Sequence, residues 1–370
     1  MTKPLDRTLI LLVLTLVVGG FLIFSSASLG LLSRGGARFS SVAFSQLLYG
    51  IIGGSAALLL ASGIHYRLWR KYALPVFLFT LALSLLVFAP GIGLELNGAH
   101  RWLSIGFVSF QPAEFLKIGY VMCLAAWLSA APRRVASLMR GAVPFCGIAA
   151  LGGGAVLLQP DTDTFVIMML ASGALFLAAG GRWRHALALG IIGALIVAAL
   201  ALSRPYIMNR IAAFLDPSSD PQGASYHVNQ SLIALGSGGL FGRGFGQSIQ
   251  KFEHLPEPIS DSIFAVYGEE FGFLGSAFLV LLFSAFALRG YKIATDAPDR
   301  FGMLLVVGLV TLIIAQTFLN IASMLALVPL SGLPLPFISQ GGTALLAALA
   351  SVGIILNVSK YRTRERTVLQ

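Results

Sequence analysis

The sequence predicts an all-α polytopic membrane protein of about ten spanning helices, with one large extracytoplasmic loop between the seventh and the eighth. Three observations predict it. The chain is 57% hydrophobic and 11% charged, whereas soluble domains carry about 25% charged residues, so it has too little polar surface to coat a soluble core. Its apolar residues come in runs near the ~20 residues a helix needs to cross a bilayer. Its basic residues are sorted by side, as the positive-inside rule demands.

In order, the run 8–28 outlasts the apolar core of a leader peptide and stays as a spanning helix. The runs 43–63 and 73–90 are parted by Arg67, Arg70 and Lys71. The fourth, 112–130, opens on Pro112, and proline at the first helical position marks a start. The fifth, 142–158, follows Arg133, Arg134 and Arg140 and ends at the turn beginning Gln159-Pro160. The sixth and seventh, 163–180 and 185–203, are parted by Arg182 and Arg184. The polar stretch from about 204 to 261 is the large loop. The eighth run, 262–289, follows Ser260-Asp261; the ninth, 302–327, follows Arg300; the tenth, 341–358, ends at Lys360. Of the 25 basic residues, Arg34, Arg38, Arg101, Arg204, Arg210, Arg243 and Lys251 fall outside, Lys117 lies in a span, and all others fall inside.

The net charge of +10 therefore reflects topology rather than a nucleic-acid surface. Cys123 and Cys146 sit in apolar runs and suit neither a disulfide framework nor a zinc site. No 20–50-residue repeat is visible, and residues 1–370 read as one transmembrane domain. The Pro-, Gly- and polar-rich stretches 91–111, 159–162, 204–261 and 328–340 all fall on the outer face, so any chemistry faces outward.

Asp261 closes the only long polar loop. Ser260-Asp261-Ser262 before a helix fits an N-cap. A carboxylate where loop meets bilayer also fits acid–base chemistry, and a helix N-terminus favours its charge. Glu114 and Lys117 are spaced i,i+3 and share a face; they read as a structural ion pair or as the polar wall of a cavity. Glu269 and Glu270 lie roughly 12–14 Å into their helix. With the small-xxx-small pair Gly268 and Gly272 they read first as helix-packing groups. Asp161 and Asp163 read as caps of the sixth helix or as a two-carboxylate cation site. The run Gly236–Gly246 matches neither a P-loop nor a dinucleotide fingerprint; it is a flexible turn or a backbone that meets phosphate beside Arg243. Ile207, Ile211, Phe214 and Leu215 share one face of a short surface helix. The Pro- and Gly-rich stretch 329–342 cannot continue a helix and suits a cavity wall. HExxH, GxSxG and Walker motifs are absent, and the five histidines show no metal-ligand spacing.

Taken together, Asn97-Gly98-Ala99-His100-Arg101-Trp102, Gln111-Pro112-Ala113-Glu114-Phe115-Leu116-Lys117, Gln159-Pro160-Asp161, Asn229-Gln230-Ser231, Leu255-Pro256-Glu257 with Asp261, Glu269-Glu270-Phe271-Gly272 and Gly332–Ser339 with Gly341-Gly342 resemble, in order, the SEDS family of FtsW and RodA proteins. The FtsW branch is the nearer likeness, from Ser248-Ile249-Gln250-Lys251. The resemblance implies a peptidoglycan glycosyltransferase that polymerises lipid II in cell division or elongation, with Asp261 as its essential carboxylate and general base. Arg101, Gln111, Glu114, Lys117, Asp161, Arg243, Lys251, Glu257 and Ser339 are the expected substrate-binding residues. Arg101, Lys117, Arg243 or Lys251, or a divalent cation (Mg2+ or Mn2+), would answer the charge of the leaving diphosphate; no metal ligands are assigned.

The resemblance also implies a class B penicillin-binding transpeptidase and other divisome or elongasome membrane proteins as partners, no nucleic acid, and a bacterial cytoplasmic membrane location with both termini inside. The sequence departs from the family where Ile259-Ser260-Asp261-Ser262 replaces His-Thr-Asp-Phe, where Asp163 replaces a glycine and where Gln340 replaces a tyrosine. A flippase for lipid-linked precursor and a catalytically silent scaffold are the rival readings.

Overall fold

The computed structural model describes residues 4–32, 42–96, 99–105, 108–130, 135, 137–216, 222–223 and 225–362. Asn97, Gly98 and the basic residues Lys3, Arg34, Arg38, Arg133, Arg134, Arg364 and Arg366 lie outside them. Eight described helices are long and apolar enough to cross a membrane. They are α1 (Arg7–Leu32), α2 (Val42–Gly63), α4 (Pro112–Ala130), α5 (Met139–Leu158), α7 (Trp183–Ser203), α10 (Ile263–Thr295), α11 (Arg300–Met324) and α12 (Gly342–Lys360). Two shorter apolar helices, α3 (Ala73–Phe88) and α6 (Thr162–Ala178), fall on the third and sixth predicted runs. The large loop holds α8 (Pro205–Leu215) and α9 (Tyr226–Ser237).

The chain is mostly helical, as expected, and carries one small sheet besides. The outer stretch 91–111 forms a three-stranded antiparallel sheet, β1 (Gly93–Leu96), β2 (Ala99–Ile105) and β3 (Val108–Phe110), in the order β1-β2-β3. The signal was present: Asn-Gly, the pair most favoured in two-residue hairpin connections, separates β1 from β2, and Leu103 turns inward to full burial.

The buried core runs through α4, α6, α11 and α12, which present apolar residues on most faces. By contrast α7 buries only Ala201 and leaves Leu187, Ile191, Leu195 and Leu202 exposed, the pattern of a helix bathed in lipid. The two chain ends meet on one face. Asp6 accepts Arg289 Nε and Nη2 at 2.9 and 2.6 Å and Arg362 Nη1 at 2.6 Å, and those guanidiniums hold its carboxyl below the ordinary range despite burial.

Helix α10 is broken. Gly272 has φ 67°, ψ −162°, and the glycine-rich run repairs the gap. Arg243 N–H and Gly244 N–H donate to the Glu269 and Glu270 carbonyls at 3.0 and 2.9 Å. Phe273 N–H and Leu274 N–H donate to Gly239 and Leu240 at 2.9 and 3.1 Å. A Cβ on Gly242 (φ +81°) would lie 2.1 Å from the Glu270 carbonyl oxygen. The close approach foreseen at Gly268 and Gly272 is thus to this run and to Leu235 of α9, not to a neighbouring spanning helix. In lipid an unsatisfied backbone group costs several kcal/mol, and this docking answers all four.

Candidate functional site

Asp261 sits on a mount tied down through its backbone. The Ile259 carbonyl accepts from Gln340 N–H at 2.7 Å, the Ser260 carbonyl from Ser339 Oγ at 2.5 Å and the Asp261 carbonyl from Asn320 Nδ2 at 2.7 Å. Three successive carbonyls are therefore held by the irregular stretch before α12 and by α11. Upstream, Glu257 takes the unusual φ of +44° and its carbonyl accepts Ser260 N–H and Ser262 N–H at 3.1 and 3.3 Å. Strained backbone of this kind persists where surrounding structure over-determines it.

The side chain is treated differently. The capping position of α10 belongs to Ser262, not Asp261, and Ser262 makes no side-chain cap. Its hydroxyl donates to the Pro256 carbonyl at 2.7 Å and meets His227 Nε2 at 2.5 Å. With that hydroxyl proton committed, the imidazole is the donor in the second bond. Burial and Arg210 push His227 down to about 4, so it is neutral at pH 7. The N-cap reading of Asp261 therefore gives way: its Oδ1 is fully enclosed and has no hydrogen-bond partner among the described residues. Burial, then the Glu257 carboxylate, push the Asp261 carboxyl up to about 7, against the opposing pull of backbone N–H groups and Arg210.

The other predicted residues fall into three groups. Glu114, Lys117 and Ser339 line one narrow cavity of about 40 Å³, with room for little more than a water molecule. There Lys117 Nζ lies 2.9 Å from Glu114 Oε1 and 2.8 Å from Gln316 Oε1, while Gln316 Nε2 donates to the Pro334 carbonyl at 2.8 Å. Gln316 and Asn320 are i,i+4 on α11, so one helix face holds both the ion pair and the Asp261 mount.

Arg101, Gln111 and Asp161 gather at the start of α6. Arg101 donates to the Gln159 and Pro160 carbonyls and Gln111 Nε2 lies 3.5 Å from Asp161 Oδ2. Asp161 caps α6 by accepting Thr164 N–H at 3.2 Å, the capping role expected of it. Asp163 diverges from it and accepts both Arg210 Nη1 and Gly332 N–H at 3.0 Å. No group of three His, Cys, Asp or Glu able to hold a metal occurs among the described residues.

Arg243 and Lys251 lie at the break in α10. Lys251 is fully buried, with Nζ 2.8 Å from Glu270 Oε1, 3.1 Å from Ser26 Oγ and 2.9 Å from the Gly246 carbonyl. Glu269 accepts Ser248 Oγ, Ile249 N–H and Gln250 N–H at 2.6–3.2 Å and lies 3.5 Å from Arg243 Nε. The two glutamates anchor the loop to the broken helix, and Lys251 is a structural partner of one of them.

Sequence reasoning passed over Asn320, Gln316, His227 and Arg210. The first two carried a signal, being polar residues four apart in an apolar span. His227 and Arg210 carried none, because only the folded loop brings His227 to Ser262 and Arg210 within electrostatic reach of Asp261.

The model of the FtsW/RodA/SpoVE cell cycle protein family matches residues 6–364. The chain belongs to this family. Stage V sporulation protein E of Bacillus subtilis (strain 168) is 38% identical over 363 residues, covering 97% of this chain and 99% of that protein. A probable peptidoglycan glycosyltransferase FtsW of Geobacter sp. (strain M18) is 37% identical, covering 85% of each chain. Among solved structures, a chain of a peptidoglycan synthase complex that coordinates polymerization and crosslinking superposes with a TM-score of 0.79 at 27% identity, covering 98% of this chain and 99% of that one. The rod shape determining protein RodA of Thermus thermophilus does so with 0.71 at 26% identity, covering 98% of each. The FtsW/RodA/SpoVE fold is thus shared over almost the whole chain.

Proposed function

We propose that this peptidoglycan glycosyltransferase polymerises lipid II on the outer face of the bacterial cytoplasmic membrane, with Asp261 as its general base and both termini on the cytoplasmic side. The glycosyltransferase activity follows from the family and the FtsW relatives. The observation that carries the role of Asp261 is the enclosed, unpartnered Oδ1 of a carboxyl raised to about 7, on a backbone that three hydrogen bonds immobilise. A base with a pKa near the working pH combines adequate basicity with a sizeable deprotonated fraction.

In the reaction Asp261 takes the proton of the acceptor sugar hydroxyl as that oxygen bonds to the anomeric carbon of the donor. The bond from that carbon to the diphosphate breaks, undecaprenyl diphosphate leaves with the electron pair, and the configuration inverts. Oδ1 is enclosed and the backbone carbonyls are held by Asn320 and Ser339, so the acceptor oxygen must approach the carboxylate from the residue's partly exposed side. The FtsW and SpoVE relatives at 37–38% identity support the FtsW side of the family. The synthase-complex neighbour supports a class B transpeptidase partner.

The test is lipid II polymerisation by the purified chain, with and without its transpeptidase, beside Asp261→Asn. Strands from the parent and not from the folded variant are expected. Strands from both would remove Asp261 from the mechanism. Strands from neither, with partner bound, would favour the scaffold or flippase.

A further inference from the structure

The leaving diphosphate needs a cation, and the structure withdraws most of those foreseen. Lys117 is held by Glu114 and Gln316, Lys251 is buried on Glu270, Arg243 faces Glu269, and Arg101 grips the 159–160 turn. Arg210, on α8, is placed otherwise. It is less exposed than Arg243, but it lies within electrostatic reach of Asp261 and lines a cavity. Its guanidinium lies 4.9 Å from the Tyr206 ring centre, a cation–π contact that helps hold it in place.

Asp163, the anion paired with it among the described residues, can release it. Asp163 Oδ2 accepts Arg210 Nη1 and Gly332 N–H together, so the carboxylate keeps a hydrogen bond if the guanidinium turns away. Breaking most buried ion pairs strands a charge; this one is only about three-quarters buried on the Arg210 side, and its carboxylate has a second donor in place. Beneath the pair opens a cavity of about 250 Å³ that both residues help line, walled by Val166, Val197, Leu319 and Leu330 among others. A charged pair and apolar walls lining one cavity match an amphiphile with an anionic head and a hydrocarbon chain. One wall belongs to α7, the least packed of the spanning helices, so the cavity adjoins lipid.

We infer that Arg210 binds the diphosphate head of the polyprenyl-linked substrate, with the first isoprene units in the cavity below, and that Asp163 is the placeholder the diphosphate displaces. The assignment rests on the glycosyltransferase reading for the identity of the lipid, and the binding chemistry stands without it. A bidentate guanidinium suits diphosphate better than an ammonium does. A purely structural strap between α6 and α8 would respond alike to loss of either partner. A placeholder responds with opposite signs.

The experiment is native mass spectrometry of the full chain in detergent, titrated with undecaprenyl diphosphate. The wild type is compared with Arg210→Gln and Asp163→Asn, and phosphatidylglycerol and inorganic pyrophosphate serve as parallel probes. Loss of a charge-assisted pair should weaken undecaprenyl diphosphate binding about tenfold or more in Arg210→Gln. Asp163→Asn keeps an acceptor for Gly332 and should bind it several-fold tighter. Phosphatidylglycerol should bind all three chains alike, and pyrophosphate, lacking the chain, should bind weakly while following the same order.

Weakened or unchanged binding in Asp163→Asn would overturn the inference, and would do so even if Arg210→Gln failed to fold. Equal shifts for phosphatidylglycerol would replace the site with a general phospholipid groove. Opposite shifts in a chain that makes no glycan would keep the diphosphate site and remove only the polymerase reading.

Discussion

Two carboxylates nine residues apart, Asp261 and Glu270, receive opposite treatment. Glu270 is buried, and its Oε1 accepts Lys251 Nζ and Ser26 Oγ at 2.8 and 2.6 Å; the charge is neutralised where it stands. Asp261 is held by its backbone while Oδ1 is left without a donor. The difference separates structure from chemistry. A satisfied carboxylate has no reason to take a proton, whereas an enclosed and unpaired one gains by taking it. The same substitution, carboxylate to amide, should therefore act in opposite senses at the two positions.

The largest expected effect is on turnover. Asp261→Asn should lose about 10²–10⁴-fold in polymerisation rate, measured as glycan strands from lipid II, with the fold intact. Next is Glu270→Gln, which strands the buried Lys251 ammonium. Removing one partner of a buried pair costs about 3–5 kcal/mol, so the variant should melt well below the parent or fail to accumulate in the membrane; a parent-like melting temperature would break the comparison.

Third, Asp261→Asn should melt higher than the parent. The folded carboxyl titrates near 7 and the unfolded one near 3.8, so the folded state binds more protons between those values. Stability then falls as pH rises through that window, and the whole burial penalty is present above pH 7. The gain in the amide variant should be largest at pH 8 and vanish towards pH 4. The smallest effect is on the pH profile. Activity should rise through pH ~7 as Asp261 loses its proton. Glu257→Gln removes a neighbouring negative charge and should move that acid limb to lower pH; a shift to higher pH would contradict the cause assigned.

The spanning runs and the outward clustering of polar stretches were legible because hydrophobic length and charge asymmetry are local and strong. Asp261 was legible as a position, since one carboxylate closes the only long polar loop. Its environment was not, because His227, Asn320 and Ser339 come from three distant segments and no local pattern records their convergence. The same blindness made Lys251 look like a phosphate ligand: its partner Glu270 lies inside α10, just before the break at Gly272, and only the folded loop brings the two together. The outer sheet went unread because the polar, Gly-rich composition of 91–111 reads as loop, and the Asn97-Gly98 pair is a short signal within it.

The patched break in α10 bears on how the chain is made. Residues 239–244 leave the ribosome before residues 269–274, so the segment that will close the ladder has already been synthesised when the defective helix reaches the bilayer. A Gly242→Ala chain, whose new methyl would collide with the Glu270 carbonyl, would present an open helix to the insertion machinery. Its fate would be settled during membrane integration, as misinsertion and turnover, before any enzyme existed to assay.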